Sequence, residues 1–422
     1  NLADDPVAIN PLKRLAADKE RQSGQRVQPY KAPATGKKVA VIGGGVEGLS
    51  TSYFLARLGH SPEIFEARKE LGGILRSVIP AQRLPREVID WEIQGVLDLG
   101  VEAHTSQSFG RDITLSGLFK DGFEAVFTAT GGWDSLLMQG EILPAPSLPS
   151  LYLMLPLNIA LASNQQVDLG GKVIIVGGGI KAVAMAKDLI KRGANSVTIL
   201  WRRSMEEIGF DREQRADLRE MGIKLRHSVR VTRLMGKGDG ITDIAYTDPR
   251  VRAAAGDEGE HVVEADSVVV AGGRLPEMIF APWTEEQGGG EGKWQTLVPY
   301  RDPAAEPRGV FDAAEPVSDY RAAVEAVAGG RRAAASIHKH LSGQSVAPPE
   351  YMLSAESDVL NVSSLVNLME VPEAHAFPRF DQPEDLPIQP GETVELSEEA
   401  AKEEARRCLN CGLICYYRTK YN

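Results

Sequence analysis

The sequence predicts an α/β protein with two Rossmann-like dinucleotide-binding domains, an N-terminal helical arm and a C-terminal extended tail. Three observations predict it. A glycine turn, Gly43, Gly45 and Gly48, follows a short apolar run and opens a helical pattern. The same texture returns later in the chain around Gly177 and Gly179. The apolar runs before both turns, Val39–Ile42 and Val173–Val176, are continuous rather than alternating, as expected of parallel strands buried on both faces.

Residues 5–20 (DPVAINPLKRLAADKE) read as a short amphipathic helix with Asp5 or Asn10 near its start. A polar stretch, 23–37, then serves as linker. Val39–Ile42 is the first strand, Leu49–Leu58 carries helical spacing, and Glu63–Glu66 ends a second strand. In the second unit Val173–Val176 is a strand, Ala182–Lys191 a helix and Val197–Leu200 another strand. Val262–Val270 reads as one further strand and Arg321–His340 as a long amphipathic helix. Residues 343–405, rich in Pro, Glu and Ser, read as an extended arm. The expected organisation is 1–36 helix and linker, 37–155 first part of one dinucleotide-binding domain, 156–275 a second dinucleotide-binding domain, 276–342 second part of the first, and 343–422 an arm with a cysteine motif.

The 422 residues carry a formal net charge of −11, which argues against a nucleic-acid partner. The longest apolar candidate, Ser150–Ala162, is interrupted by Pro156 and Asn158 and falls short of the roughly 18 residues of a membrane span. All three cysteines lie between Cys408 and Cys415, which is not a secreted disulfide framework, so a cytoplasmic location is expected. The chain starts at Asn1 rather than methionine, which suggests a missing upstream segment.

In the first turn Gly43 permits the sharp bend, Gly45 lets backbone approach a pyrophosphate, and Gly48 lets helix pack on strand. The helix N-terminus adds partial positive charge. Glu66 ends the following strand, where a carboxylate accepts hydrogen bonds from ribose hydroxyls. Glu47 would repel a pyrophosphate unless it points away. In the second turn Gly177 and Gly179 are followed by Ala182, and the next strand ends in Trp201, Arg202 and Arg203. Two arginines there suit a 2′-phosphate and favour NADPH over NADH, with the choice left open.

The segments PVAINPLKRLAAD (6–18), KKVAVIGGGVEGLS (37–50), ELGGILRSVIPAQRLPREVID (70–90), LGVEAHTSQSFGRDITL (99–115), AVFTATGGW (125–133) and VTILWRRSMEEI (197–208) together resemble the small subunit of glutamate synthase and its relatives. These are FAD-dependent pyridine nucleotide oxidoreductases, and they include the NADPH-linked subunits of ferredoxin-coupled transhydrogenases. The resemblance runs from the N-terminal helix through His340. It implies a glutathione-reductase-like pairing of the two domains, with FAD in the first, NAD(P)H in the second and hydride passing between them. It implies that Gly43, Gly45, Gly48 and Glu66 bind the adenosine and pyrophosphate of FAD. Gly73, Leu75, Arg76, Arg83 and Leu84 would lie near the flavin, Thr130 and Gly131 would close over the pocket, and Glu315 would stand for the acid of the late FAD motif. Gly177, Gly179, Arg202 and Arg203 would serve the nicotinamide nucleotide. The chain departs from the family pattern at Ile180 and Ala184 after the second turn, at GVFDAAE (309–315), and at Ala322 and Ala323.

Cys408, Cys411 and Cys415 form C-x-x-C-x-x-x-C, a spacing that suits an iron–sulfur cluster, such as [4Fe-4S], with a fourth ligand from elsewhere. Structural zinc and free thiols are the alternatives. Neither nucleotide fold contains cysteine, which argues against a disulfide substrate. His338 and His340 are read as surface residues, and Trp133 and Trp201 as packing residues. No Ser–His–Asp pattern supports hydrolysis. The expected function is an FAD subunit passing electrons between NAD(P)H and the iron–sulfur clusters of a partner subunit in an aldehyde, glutamate or ferredoxin-linked complex. The competing readings are a flavin relay that binds no nicotinamide and a non-enzymatic assembly subunit.

Overall fold

The apolar run after Lys38 becomes β1 (Lys38–Ile42), four of whose five residues are buried. In this computed structural model it lies between two parallel neighbours, β2 (Ser61–Glu66) and β4 (Phe123–Thr128). The described residues are 8–77, 79–130, 150–177, 179–208, 212–248, 250, 260–271, 278–297, 319–344 and 396–406. By contacts the chain forms two units: residues 30–79 with 92–348, and residues 1–29, 80–91 and 349–422.

The larger unit holds two sheets. In the first, β3 (Glu102–Thr105) pairs with β2, giving the order β3-β2-β1-β4 in parallel. Antiparallel strands then extend it: β13 (Met278–Pro282), β14 (Lys293–Leu297), β9 (Arg230–Lys237), β10 (Gly240–Thr247) and β11 (Glu260–Glu264). The second sheet is wholly parallel, in the order β5 (Leu151–Leu153), β12 (Ser267–Val270), β6 (Lys172–Val176), β7 (Ser196–Trp201), β8 (Lys224–His227). In both sheets the strand before a glycine turn has its sequence successor on one side and a later strand on the other. That is a topological switch point, where doubly wound sheets bind ligands.

Helix α2 (Val46–Arg57) follows the first turn and α7 (Ile180–Lys191) the second. The short helices α3 (Gly73–Ser77), α5 (Leu115–Lys120) and α6 (Met154–Ala162) lie between strands, as do α8 (Met205–Ile208) and α9 (Arg212–Glu220). Helix α4 (Arg86–Leu97) precedes β3. A core cluster containing Ile42, Phe65, Val126 and Phe280 from the first sheet and Ile174, Leu200 and Val268 from the second joins the two sheets. A second cluster packs α7 onto β6 and β7 through Met185, Leu189, Val197 and Ile199.

The expected strand Val262–Val270 is instead two strands in two sheets, with Ala265 and Asp266 between them. The burial explains the break. β12 is buried throughout, whereas β11 is largely exposed at the edge of the first sheet. Asp266 also turns its carboxylate back to accept the backbone N–H groups of Gly171 and Lys172, which ends one ladder and starts another.

Helix α10 (Asp319–Leu341) packs on α2 through two glycines. A Cβ on Gly330 would press on the Glu47 carbonyl, Ser50 and Thr51 within 2.8 Å, so only glycine allows this approach. Arg331 and Arg332 are exposed beside it.

In the smaller unit α1 (Ile9–Ser23) starts later than the expected residue 5 and runs three residues past 20. Its N-cap, Ala8, offers no side-chain acceptor; the buried Glu404 accepts the Ala8 N–H at 2.7 Å instead. Gly24 ends the helix in the left-handed conformation. Glu404 belongs to α11 (Glu398–Arg406), so the last part of the expected extended arm is a helix. Its run of Glu, Ala and Lys favours helix, and Glu398 pairs with Lys402 one turn on and with Lys19 of α1. Arg26 stacks over the Trp91 ring and donates to the Trp91 carbonyl.

Candidate functional site

Gly43 leaves β1 at φ +109°, a conformation that disfavours any side chain. Its N–H donates to the Phe65 carbonyl, and a Cβ there would enter the Ala129 carbonyl at the end of β4. The first turn therefore sits on the switch point between β1 and β4. A Cβ on Gly48 would run into the Gly43 carbonyl, so the third glycine is required for helix α2 to start where it does. Gly45 is extended and caps α2 with no side-chain hydrogen bond, leaving first-turn N–H groups for an anion.

Facing Gly45 is Gly73, at φ +52°; a Cβ on Gly73 would lie 2.9 Å from the Gly45 Cα. Gly72 N–H donates to the Gly44 carbonyl at 2.8 Å and fixes the two strands of backbone together. The result is a cradle walled by glycine backbone, where a Cβ would take the space. This fits a pyrophosphate. Glu66 is buried, accepting the Gly44 N–H on one oxygen at 2.7 Å and the Arg68 N–H on the other at 2.8 Å. Each carboxylate oxygen keeps a further lone pair for a ribose hydroxyl. Glu47 does point away: its carboxylate lies where a Cβ on Gly329 of α10 would go, close to Arg332.

The other residues expected near the flavin divide. Leu75 and Arg76 are half-buried on α3, and Arg76 donates to the Leu71 carbonyl at 2.8 Å. Arg83 and Leu84 belong to the smaller unit, in the turn that Arg83 N–H closes onto the Pro80 carbonyl. Thr130 follows Ala129 and is exposed. Gly131, Glu315, Trp133 and the cysteines Cys408, Cys411 and Cys415 lie outside the described residues.

The second turn repeats the plan. Gly177 has φ +103° and donates to the Leu200 carbonyl, with Ala271 after β12 taking the place of Ala129. Gly179 caps α7 at φ +105° with no side-chain hydrogen bond, and a Cβ there would meet none of the described residues within 4 Å. The first turn of α7 has no acidic residue, and Ala182 is fully buried in the third position. Arg202 and Arg203 are exposed after β7, where the Arg203 carbonyl accepts Ser228 N–H. Trp201 is buried in the core against α7, a packing role.

Residues 86–298, half of the chain, match the pyridine nucleotide-disulphide oxidoreductase family, and residues 41–111 match an NAD(P)-binding Rossmann-like domain. The chain belongs to the pyridine nucleotide-disulphide oxidoreductase family. Similar proteins include the NADP(+)-dependent formate dehydrogenase subunit beta of Moorella thermoacetica, 32% identical over 82% of this chain and 52% of that protein. The NADPH-Fe(3+) oxidoreductase subunit beta of Geobacter sulfurreducens is 32% identical over 70% of this chain and 45% of that one. The glutamate synthase [NADPH] small chain of Escherichia coli is 31% identical over 64% of this chain and 61% of that one. The chain thus spans about half the length of the relatives it matches. Family membership supports FAD and NAD(P)H as cofactors, and the two turns have the backbone such nucleotides need. Its three cysteines all fall at 408–415, so this member has no dithiol within either fold for disulfide chemistry. No helix among the described residues is long and apolar enough to cross a membrane.

One feature of this oxidoreductase escaped sequence reasoning. His338 and His340 are half-buried, not surface residues. His60, 3% exposed, lies 2.9 Å by its Nε2 from Nδ1 of His338. Its Nδ1 lies 2.8 Å from Oγ1 of Thr35, which itself donates to the Gly59 carbonyl. All groups are satisfied when His338 Nδ1–H donates to His60 Nε2 and His60 Nδ1–H donates to Thr35. Burial, reinforced by His338, lowers the His60 pKa to about 4, and burial also lowers that of His340. The pair joins the C-terminal half of α10 to the start of β2. The partners are 278 positions apart, and no local signal marks them.

Proposed function

We propose that this chain is the flavin-bearing subunit of a multi-subunit oxidoreductase, taking electrons from NADPH and passing them to an iron–sulfur partner. The observation that carries the reading is the pair of glycine turns on two switch points, each with an uncapped helix N-terminus. The named relatives are subunits of NADPH-linked or NADP(+)-linked oxidoreductases, which supports the same role.

In this reading residues 37–155 and 276–342 form the FAD-binding domain and 156–275 the nicotinamide domain. Gly43, Gly45, Gly48 and Gly73 admit the FAD pyrophosphate to backbone N–H groups, and Glu66 accepts its ribose hydroxyls. Leu75, Arg76, Thr130, Gly131 and Glu315 complete the surroundings of the ring and its chain. Gly177 and Gly179 hold the nicotinamide nucleotide's pyrophosphate at α7, and Arg202 and Arg203 take its 2′-phosphate with charge-assisted bonds. Bound FAD supplies the conversion from two-electron donor to one-electron acceptor that an iron–sulfur partner requires. Cys408, Cys411 and Cys415, two residues beyond the end of α11, hold a cluster whose remaining ligand comes from elsewhere.

The test is an anaerobic absorbance titration of the purified protein with NADH and then NADPH. Rapid bleaching of the flavin band, faster with NADPH, is the expected result. Flavin that is present and unresponsive to both nucleotides overturns nicotinamide oxidation and leaves a relay.

A further inference from the structure

On the first sheet, away from both glycine turns, Glu63 of β2 pairs in register with Glu102 of β3, and His104 follows Glu102 on the same face of β3. One ligand atom from each of the three lies within 4.8 Å of the others. The imidazole is held in place, stacked on Phe65 with centroids 4.8 Å apart at 23°. Its Nε2 sits 3.0 Å from one carboxylate oxygen of Glu63. The other oxygen of Glu63 pairs with Lys38 Nζ of β1 at 2.8 Å, and that ammonium lies over the Phe123 ring.

The two oxygens of Glu63 therefore have different work. Lys38 occupies one, and a single proton is shared between the other and His104. A first-row divalent ion about 2.1 Å from each of two ligand atoms, at roughly 90–109°, holds those atoms roughly 3.0–3.4 Å apart. The observed spacing of 3.0 Å lies in that range. We propose that Glu63, Glu102 and His104 form a divalent transition-metal site in which the ion replaces the proton between His104 and Glu63. Lys38 stays on the far oxygen of Glu63 as an outer partner, and solvent completes the coordination on the exposed side of Glu102. Two carboxylates against one ammonium leave the neighbourhood net negative, and Asp121 adds to it. A bound ion would tie the edge strand β3 to β2 without touching either nucleotide turn.

The experiment titrates Mn²⁺ into the full-length protein and counts bound ion from the loss of the free Mn²⁺ electron paramagnetic resonance signal. Mn²⁺ is chosen because carboxylate ligands suit it and thiolates do not, which keeps the cysteine tail out of the count. One ion should bind per chain in this class. Glu102→Gln and His104→Gln should each weaken it by about tenfold or more. Lys38→Met should tighten it, because a positive charge beside the bound ion is removed, and a merely misfolded variant would not give that result. Identical binding by the original protein and all three variants, or weaker binding by Lys38→Met, overturns the site.

Discussion

Gly43 and Gly177 do the same work: each leaves a buried parallel strand at φ above +100° and faces the alanine that follows the strand across the switch point, Ala129 or Ala271. From there the two turns diverge. Around the first, the backbone is closely packed: Gly48 touches the Gly43 carbonyl, Gly73 faces Gly45, and Glu66 is tied to Gly44 and Arg68. Helix α10 covers α2 from outside through Gly330. Around the second, a Cβ on Gly179 would meet none of the described residues within 4 Å, alanine serves in the third position, and the charged residues at the strand end are exposed arginines. The difference teaches how one backbone plan suits two uses. On the proposed reading, the more closely packed cradle suits a nucleotide that stays, and the other suits one that comes and goes.

The comparison breaks most directly at the third position of each turn. Gly48→Ala should release most of the flavin and cost more than about 2 kcal/mol, because helix α2 must shift off the Gly43 carbonyl. Ala182→Gly should cost only about 1 kcal/mol and keep nucleotide binding. The flavin-to-protein absorbance ratio and thermal midpoints check both, and a fully yellow Gly48→Ala protein would contradict the closed cradle. Next, replacing Arg202 and Arg203 together by Ala should raise the KM for NADPH about 10–100-fold while leaving that for NADH nearly unchanged, since charge-assisted bonds contribute about 1.5–3 kcal/mol. Equal changes for both nucleotides would remove the 2′-phosphate role.

The third test is of pH, and it concerns the first fold alone. His60 is held neutral, near pKa 4 against 6.5 in an open chain, so the folded state binds fewer protons. Its contribution is present above pH 6.5 and is lost as pH falls through 4, about 3 kcal/mol in all, of which about 2 kcal/mol is gone by pH 5. Urea unfolding at pH 7.5 and pH 5 should show this loss, and His60→Gln should reduce it; equal losses would discard the histidine pair. A modest effect is expected for Glu66→Gln, which keeps an acceptor for Gly44 but turns its NH2 group toward the Arg68 N–H and loses charge toward the ribose. FAD should bind about tenfold more weakly, about 1.4 kcal/mol, by fluorescence titration.

Both glycine turns were legible from the sequence because their requirements are local. A strand, a bend at positive φ and a helix follow each other within about a dozen residues. Glu47 was legible only as a problem, since its solution, Gly329, lies on a helix far along the chain. The break at Ala265 and Asp266 was hidden because both halves of Val262–Val270 are apolar; what separates them is the sheet each one joins. The histidine pair and the Lys38–Glu63–His104 chain were hidden for the same reason, as side chains brought together only by strand register and helix docking. Helix α11 was masked by the Pro-rich sequence before it, although its own composition favours helix.

The break between β11 and β12 has a mechanical meaning. The chain crosses between the two sheets there with only Ala265 and Asp266, and again between β8 and β9 with only Ser228 and Val229. At about 3.8 Å for each step between α-carbons, neither crossing can stretch beyond about 11 Å. The sheets are thus sewn together at two short stitches, and any rocking of one against the other must pivot on the line between them.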